Sequence, residues 1–376
     1  METLEESVCR WRKELHQIPE IGFHEKKTVR YLEHELKEMG YHPEYILETG
    51  LCIFLDYGKN ASIAFRSDID GLKIKEETHC AFASHHDGYM HACGHDGHMA
   101  ALLGLAKKLK ENNDYPYNIV LIFQPGEEVC DGAKKVIETG IFEKYCIKAI
   151  FGMHMFPDVE EGMIACRKGP LMAESGELDV TVHGKSAHAG KYHEGIDSIV
   201  IASQLISNYQ SIISRMVSPM EPAVLNIGYI QGGTVRNIVG SQTVFNGTVR
   251  TYSEAVFDRI VKAMEGFNNG CEEAYGCKID FMCHPFNPPV LNDAYLYNQV
   301  KTLAGNDYIE LEEPVMLAED FSHYQKVVPG VFFYLGTRTH EFNSGLHTAS
   351  FQFNEKILIK AVDLYYKIAT FLDLGE

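Results

Sequence analysis

Positive charge is scarce in this chain: 34 lysines and arginines stand against 52 aspartates and glutamates, a formal net charge of -18. With no polybasic run, that deficit argues against nucleic acid or an anionic membrane as partner, since both need a basic footprint. No apolar run reaches membrane length. The opening residues, Met1-Glu2-Thr3-Leu4-Glu5-Glu6, lack the apolar core of a secretory signal, so a cytoplasmic protein is expected. The ten cysteines, spread from Cys9 to Cys283, form no Cys-x-x-Cys pair and no compact framework, which fits free thiols in a reducing compartment. Repeats and low-complexity segments are also missing, and 376 residues with 45% hydrophobic composition suit two domains with sizeable cores.

What the chain does have is a concentration of metal-binding side chains at His91-Ala92-Cys93-Gly94-His95-Asp96-Gly97-His98. Gly94 allows a tight turn that aims Cys93 and His95 at one point. Met99, Leu102, Leu103, Leu105, Ala106 and Leu109 follow at helical spacing, so the segment is expected to be a loop entering an amphipathic helix.

Along the chain, helix is expected over the first forty residues, ending at Gly40, and strand from Leu51 to Tyr57. Ser62 to Arg66 forms a strand pattern that stops at Asp68 and Asp70. Asn118 to Phe123 stops at Gln124-Pro125-Gly126-Glu127-Glu128, and Ile147 to Met153 stops at His154. Polar residues thus gather at the ends of three strands, where open α/β sheets place ligands. From about Ala173 the order becomes βαββαβ, with strands at 177–183, 223–230, 242–251 and 278–283 and helices at 196–216 and 255–274, the pattern of a ferredoxin-like unit. A buried strand at 330–335 and a closing helix at 353–372 return to the first texture. The expected fold class is α/β: a catalytic domain with a central mixed sheet, in two parts (1–175 and 288–376), interrupted by an inserted α+β lid or dimerisation domain (176–287).

Candidate metal ligands are Cys93, His95, Glu128, His154 and His347, more than one tetrahedral ion takes. Two ions sharing a bridging ligand would use all five, and a thiolate such as that of Cys93 suits the bridge. Mixed sulfur, imidazole and carboxylate ligands fit Zn and neighbouring divalent transition ions alike. In the doublet Glu127-Glu128, one carboxylate can bind metal while the other moves a proton. Asp68 and Asp70 admit two readings, orientation of a ligating histidine or simple strand termination. His188 lies in a small-residue loop, Asn237 follows a flexible turn, and Arg250 ends a strand, where a guanidinium can grip a carboxylate.

These residues resemble the dinuclear metal amidohydrolases and peptidases that include aminoacylases, carboxypeptidase G and the desuccinylase of lysine biosynthesis, over nearly the whole chain. His-Ala-Cys-Gly-His-Asp at 91–96 is similar to the branch of hippurate hydrolases, auxin-conjugate hydrolases and N-acetyldiaminopimelate deacetylases, in which cysteine replaces the bridging aspartate. Further similar pieces are Leu15-His16-Gln17-Ile18-Pro19-Glu20, Asp68-Ile69-Asp70-Gly71, Gln124-Pro125-Gly126-Glu127-Glu128, Gly184-Lys185-Ser186-Ala187-His188-Ala189, Ala318-Glu319-Asp320-Phe321 and Leu346-His347-Thr348. Departures are Gly126 for the usual alanine, the unusual spacing after His188, and Leu317-Ala318 before Glu319.

The resemblance implies two divalent ions (Zn, Mn, Ni or Co) on Cys93, His95, Glu128, His154 and His347, and Glu127 as general acid and base. It implies His188 reaching into a partner subunit's site, substrate contacts from Asn237 and Arg250, and a homodimer or homotetramer. The expected activity is hydrolysis of an N-acyl amino acid, with N-acetyldiaminopimelate first and hippurate-like or general aminoacylase substrates as alternatives. Two other classes stay open: a cysteine nucleophile at Cys93 activated by His95 or His98, and a metal-binding protein without turnover.

Overall fold

The computed structural model describes residues 2–375. It divides into two compact units, one formed by Met1–Leu171, Val290–Pro314 and Glu319–Glu376, the other by Met172–Pro289 and Val315–Ala318. Residues 172–175 and 288–289 therefore belong to the second unit, outside the expected limits of 176–287. The short segment Val315–Ala318 joins that unit because Met172 pairs with Val315 and the Ala173 amide donates to the Leu317 carbonyl at 2.8 Å. A linear reading has no access to such a pairing.

The first unit is built on an eight-stranded mixed sheet. Its spatial order is Glu44–Ile46, Gly50–Leu55, Asn118–Gln124, Ser62–Asp68, Ile147–Glu160, Gly330–Arg338, Ile164–Cys166 and Tyr308–Glu310. The four central strands run parallel, and all of Ser62–Asp68 and Asn118–Gln124 is buried, as strands covered on both faces must be. Leu4–His16, Lys26–Glu38, His95–Leu109 and Leu358–Phe371 contribute helices to the same apolar core as Phe65, Leu121, Phe151 and Phe333.

Four local expectations change. The single helix over the first forty residues is two, Leu4–His16 and Lys26–Glu38, because Pro19 lacks an amide and Phe23 adopts φ 62° in the intervening loop. The third polar cluster does not follow a strand: Ile147–Glu160 continues past His154, which pairs with Tyr334 in parallel register. The closing helix starts later, at Leu358, after a 3-10 turn. The helix after the cysteine loop begins at His95 itself and is buried on every side except at Lys107 and Lys108, so it is not amphipathic. A Cβ on its Gly104 would come within 2.6 Å of Val362 and 2.8 Å of Val8, which shows how closely the first and last helices press on it.

The second unit holds an antiparallel sheet in the order Lys278–Asn287, Glu174–His183, Gln242–Thr251, Ala223–Gly232. Alternating burial along Glu174–His183 gives it one apolar face, which shares a core with Ser198–Arg215 and Glu254–Tyr275 through Leu178, Phe245, Leu205 and Ile260. Order, direction and paired helices are those of a ferredoxin-like fold.

A buried ionic chain ties the first helix to the cysteine loop. Arg12 Nε lies 3.0 Å from Asp96 Oδ2, and His16 Nδ1 lies 2.8 Å from the same oxygen. His16 Nε2 reaches Glu76 Oε1 at 3.2 Å, while the Ser84 amide donates to Glu76 Oε2 at 2.6 Å. Phe82 and Phe353 sandwich the Arg12 guanidinium, each ring centroid 4.6 Å away. Burial alone would raise Glu76, but hydrogen bonds from His16, Thr78 and Ser84 outweigh it and bring the group down to about 2. A depressed carboxyl pKa adds stability that is complete above the unfolded value and drains away as pH falls toward the folded one. Glu76→Gln should therefore lower the urea midpoint at about pH 6, and the gap from wild type should narrow by about pH 3. Parallel urea titrations at the two pH values check this.

Candidate metal centre

The loop that carries Cys93 turns at Gly94, whose φ of 87° is a left-handed conformation, and a Cβ there would lie 2.9 Å from Met155 Cγ. That turn sends Cys93 and His95 inward from consecutive ends of one bend. Cys93 Sγ lies 3.3 Å from His154 Nε2 and 3.2 Å from His347 Nε2. His347 Nε2 is 3.4 Å from Glu128 Oε1, which is 3.8 Å from His95 Nε2. Among the possible donor groups, Cys93 stands with His95 and His154 and again with Glu128 and His347, while His95 also stands with Glu127 and Glu128, the atoms of each group lying within 4.8 Å of one another. Donors bound to a common ion at about 2.0–2.3 Å fall within that spacing. Cys93 is common to the first two groups, so its sulfur is the atom placed to bridge.

Two of the three imidazoles are aimed by their other nitrogen. His95 Nδ1 lies 2.9 Å from the Asp70 carbonyl oxygen and 3.3 Å from Asp70 Oδ1. His154 Nδ1 lies 2.7 Å from the Met155 carbonyl oxygen. Such partners fix the tautomer and present Nε2 to a cation. His347 is held from its backbone, with φ 59° and its amide donating to the Ala92 carbonyl at 2.9 Å; a left-handed histidine is strained unless the surroundings enforce it.

The three histidines of the loop thus part company. His95 belongs to the donor set. His98 does not, since Nδ1 engages Asp68 Oδ1 at 2.7 Å and Nε2 accepts from the Met155 amide at 2.9 Å, leaving no lone pair free. His91 is buried, and burial lowers it to about 3. Asp68 is no mere strand terminus, because its other oxygen meets Arg66 Nη1 at 2.9 Å. The same guanidinium meets Asp320 Oδ1 at 2.8 Å and Glu319 Oε1 at 3.0 Å. Glu319, Asp320 and His16 stand in family-like motifs that gave them no role, His98 stands in the cysteine cluster without a sign of its partner, and Glu76 carries no signal that ties it to His16.

The charge balance favours a cation. His95 Nε2 and Glu128 Oε1 are buried without a hydrogen-bond partner, an expensive arrangement that a shared positive ion would relieve. Burial, reinforced by Glu128 and Glu127, pushes the Cys93 thiol well up. Burial, Glu319 and Glu128 push Glu127 well above the ordinary carboxyl range. For His95, burial works downward but Asp68 and Asp70 outweigh it and raise the ring to about 10. A surplus of negative groups that hold on to protons is what divalent cations would discharge. The same facts count against a cysteine nucleophile, which needs a lowered thiol pKa. The nitrogens nearest Cys93 are moreover those of His154 and His347, not of His95 or His98.

In the second unit, His188 is exposed, its Nδ1 accepting from the Gly190 amide at 3.0 Å. It pairs with Ile238, and the Ala189 amide donates to the Asn237 carbonyl at 3.0 Å, so His188 and Asn237 are neighbours. Arg250 is not with them. It lies opposite Ser175, whereas Gln242, at the start of the same strand and beside the His188 loop, lies opposite His183. At about 3.3 Å per residue, the strand sets Arg250 about 26 Å from that end.

A mixed-sheet domain that buries thiol, imidazole and carboxylate donors beside an acidic doublet defines a candidate metallohydrolase. The model of peptidase family M20/M25/M40 matches residues 64–370. The N-acetyl-L-cysteine deacetylase of Bacillus subtilis is 38% identical over 100% of this chain and 91% of its own length. The N-acetyldiaminopimelate deacetylase of Priestia megaterium is 37% identical over 96% of this chain and 97% of its own length. Among solved structures, the YXEP protein of Bacillus subtilis, a dinuclear metal binding peptidase from the M20 family, superposes with a TM-score of 0.85 at 32% identity, covering 97% of both chains. The chain belongs to peptidase family M20/M25/M40.

Proposed function

We propose that the protein is a metal-dependent deacylase that hydrolyses the amide bond of an N-acyl amino acid to a carboxylate and a free amino acid. The observation that carries this is the meeting of Cys93, His95, Glu128, His154 and His347 around shared space, with Glu127 beside His95 and Glu128. Deacetylases of N-acetylcysteine and N-acetyldiaminopimelate among its relatives make an N-acetyl amino acid the first substrate class. Hippurate-like and other aminoacylase substrates are the alternative.

Cys93, His95 and His154 would hold one divalent ion, and Cys93, Glu128 and His347 the other, with Zn, Mn, Ni and Co all compatible with the donors. Bound there, the ions would polarise the scissile carbonyl and make water acidic enough to react near neutral pH. The protein's own part is proton traffic and positioning. Glu127 takes a proton from the attacking water and delivers it to the leaving amine nitrogen, a role suited to a buried carboxyl beside the donors. Asp70 keeps His95 oriented. Asn237 and Arg250 hold the substrate, the guanidinium on its carboxylate, and His188 steadies the negative oxygen of the tetrahedral adduct.

A homodimer, or a homotetramer built from it, completes this picture. His188 and Asn237 stand at one end of the antiparallel sheet and Arg250 at the other, which favours His188 serving the site of a second copy. The edge strand Ala223–Gly232 exposes Val224, Tyr229 and Ile230, an apolar edge suited to pairing. A cytoplasmic setting agrees with ten cysteines that are all free. No helix among the described residues is long and apolar enough to cross a membrane.

Glu127→Gln should keep about two ions per chain by elemental analysis yet lose on the order of 10²–10⁴ in kcat on N-acetyl amino acids. Turnover unchanged in that variant removes Glu127 from the reaction, and a panel of acetyl, benzoyl and longer acyl groups ranks the substrates. Cys93→Ala should bind fewer ions than wild type; full occupancy with full activity would end its bridging role. Mixing inactive Glu127→Gln chains with inactive His188→Ala chains should restore activity in hybrids, and failure to do so with subunit exchange demonstrated would exclude a shared site.

A further inference from the structure

The carboxylates Glu127 and Glu128 hang from a turn whose own bonds engage carbonyls, the Gly126 and Glu127 oxygens accepting from the Gly132 and Cys130 amides at 3.1 and 2.8 Å, and leave its amides to be met from elsewhere. Pro125 has no amide to donate, and Gly126 sits at φ 70°. Two buried carboxyl groups supply what the turn lacks. The Glu128 amide donates to Asp70 Oδ2 at 3.0 Å, and the Gly126 amide donates to Glu25 Oε1 at 3.0 Å.

Glu25 is fully buried, and its second oxygen accepts from Thr49 Oγ1 at 2.7 Å. No cation among the described residues pairs with it; burial, with the Asp70 charge adding, raises it to about 7. A buried carboxyl without a counter-ion is a burden on the fold, so its place here asks for a reason. The reason lies in what it touches. Two residues earlier, the ring of Phe23 fills the space where a Cβ on Gly126 would stand, 2.6 Å from it, and Phe23 is itself left-handed at φ 62°. The segment 23–25 thus grips Gly126 from two sides, by an aromatic ring and by a hydrogen bond. Gly50 closes a third side, since a Cβ on it would come within 2.8 Å of Pro125 Cδ.

We infer that Glu25 is a positioning residue for Glu127: its carboxyl holds the Gly126 amide and so sets the direction in which the next side chain leaves the turn. This rests on the assignment of Glu127 as the proton carrier. Proton transfer depends steeply on placement, and an error of about 1 Å costs on the order of 10²-fold. Glutamine at position 25 keeps an oxygen for the Gly126 amide and offers its own amide to Thr49, whereas alanine offers neither.

The test compares Glu25→Gln, Glu25→Ala, Thr49→Val and Glu127→Gln, each loaded with the same divalent metal and assayed on N-acetyl amino acids. Glu25→Ala should lose about 10–100-fold in kcat with KM within about threefold of wild type, and should retain its ions. Amide exchange at Gly126 should speed up in that variant. Glu25→Gln should recover kcat to within about threefold of wild type, with Gly126 protected again. Thr49→Val, which leaves the charged group in place but frees one oxygen, should show a smaller fall of about 3–10-fold and serves if Glu25→Ala does not fold. Unchanged kcat in Glu25→Ala or, failing its folding, in Thr49→Val overturns the inference. So does a loss in Glu25→Gln equal to that in Glu25→Ala, or a loss that only tracks missing metal. Full turnover in Glu127→Gln instead overturns the assignment of Glu127, whereas an inactive Glu127→Gln beside a fully active Glu25→Ala overturns only the role of Glu25.

Discussion

One sulfur atom organises the first unit. Cys93 lies at the meeting point of three imidazoles and a carboxylate, His95 from its own loop and His154, Glu128 and His347 each from a different stretch of chain. Buried carboxylates repel one another, and His95 Nε2 and Glu128 Oε1 have no hydrogen-bond partner among the described residues. The arrangement makes energetic sense as a receptacle for positive charge, and the fold holds it ready through contacts made elsewhere.

Those contacts form two systems. The Arg12–Asp96–His16–Glu76 chain fastens the cysteine loop to the first helix and to the 76–84 segment. Arg66, shared among Asp68, Glu319 and Asp320, joins two neighbouring strand ends through Gln124, whose Oε1 accepts from Arg66 Nε at 2.8 Å. Asp68 then passes this rigidity to His98, and His98 to the backbone at Met155, the residue after a donor. Between these systems sits the turn bearing Glu127 and Glu128, held by Asp70 and Glu25 through its amides. The side chain proposed to move protons thus stands on a turn held from two sides, which is what general acid and base chemistry demands.

The second unit adds chemistry of another kind. Its loop brings His188 beside Asn237, while Arg250 stands at the far end of the same sheet. A small substrate cannot span that interval within one sheet, which supports the proposed site completed by a second copy.

Much was legible in local pattern because it depends on neighbours in sequence. An alternating pattern marked the strand at 62–66 and a continuous apolar run that at 118–123, the glycine in Cys93-Gly94-His95 marked a turn, and the βαββαβ order marked the ferredoxin-like unit. The types of donor, and hence the expectation of a metal centre, were written in the residues themselves. What sequence alone left undecided was every matter of partnership across the chain. Which histidine of the loop faces the donors, why His154 can sit inside a strand, and why Asp68 is more than a strand ending all depend on contacts between residues tens to hundreds of positions apart. The use of a buried Glu25 is of the same kind. Hydrogen-bond partners and burial are properties of the packed chain, and a side chain's chemistry at a site is set by them as much as by its own identity.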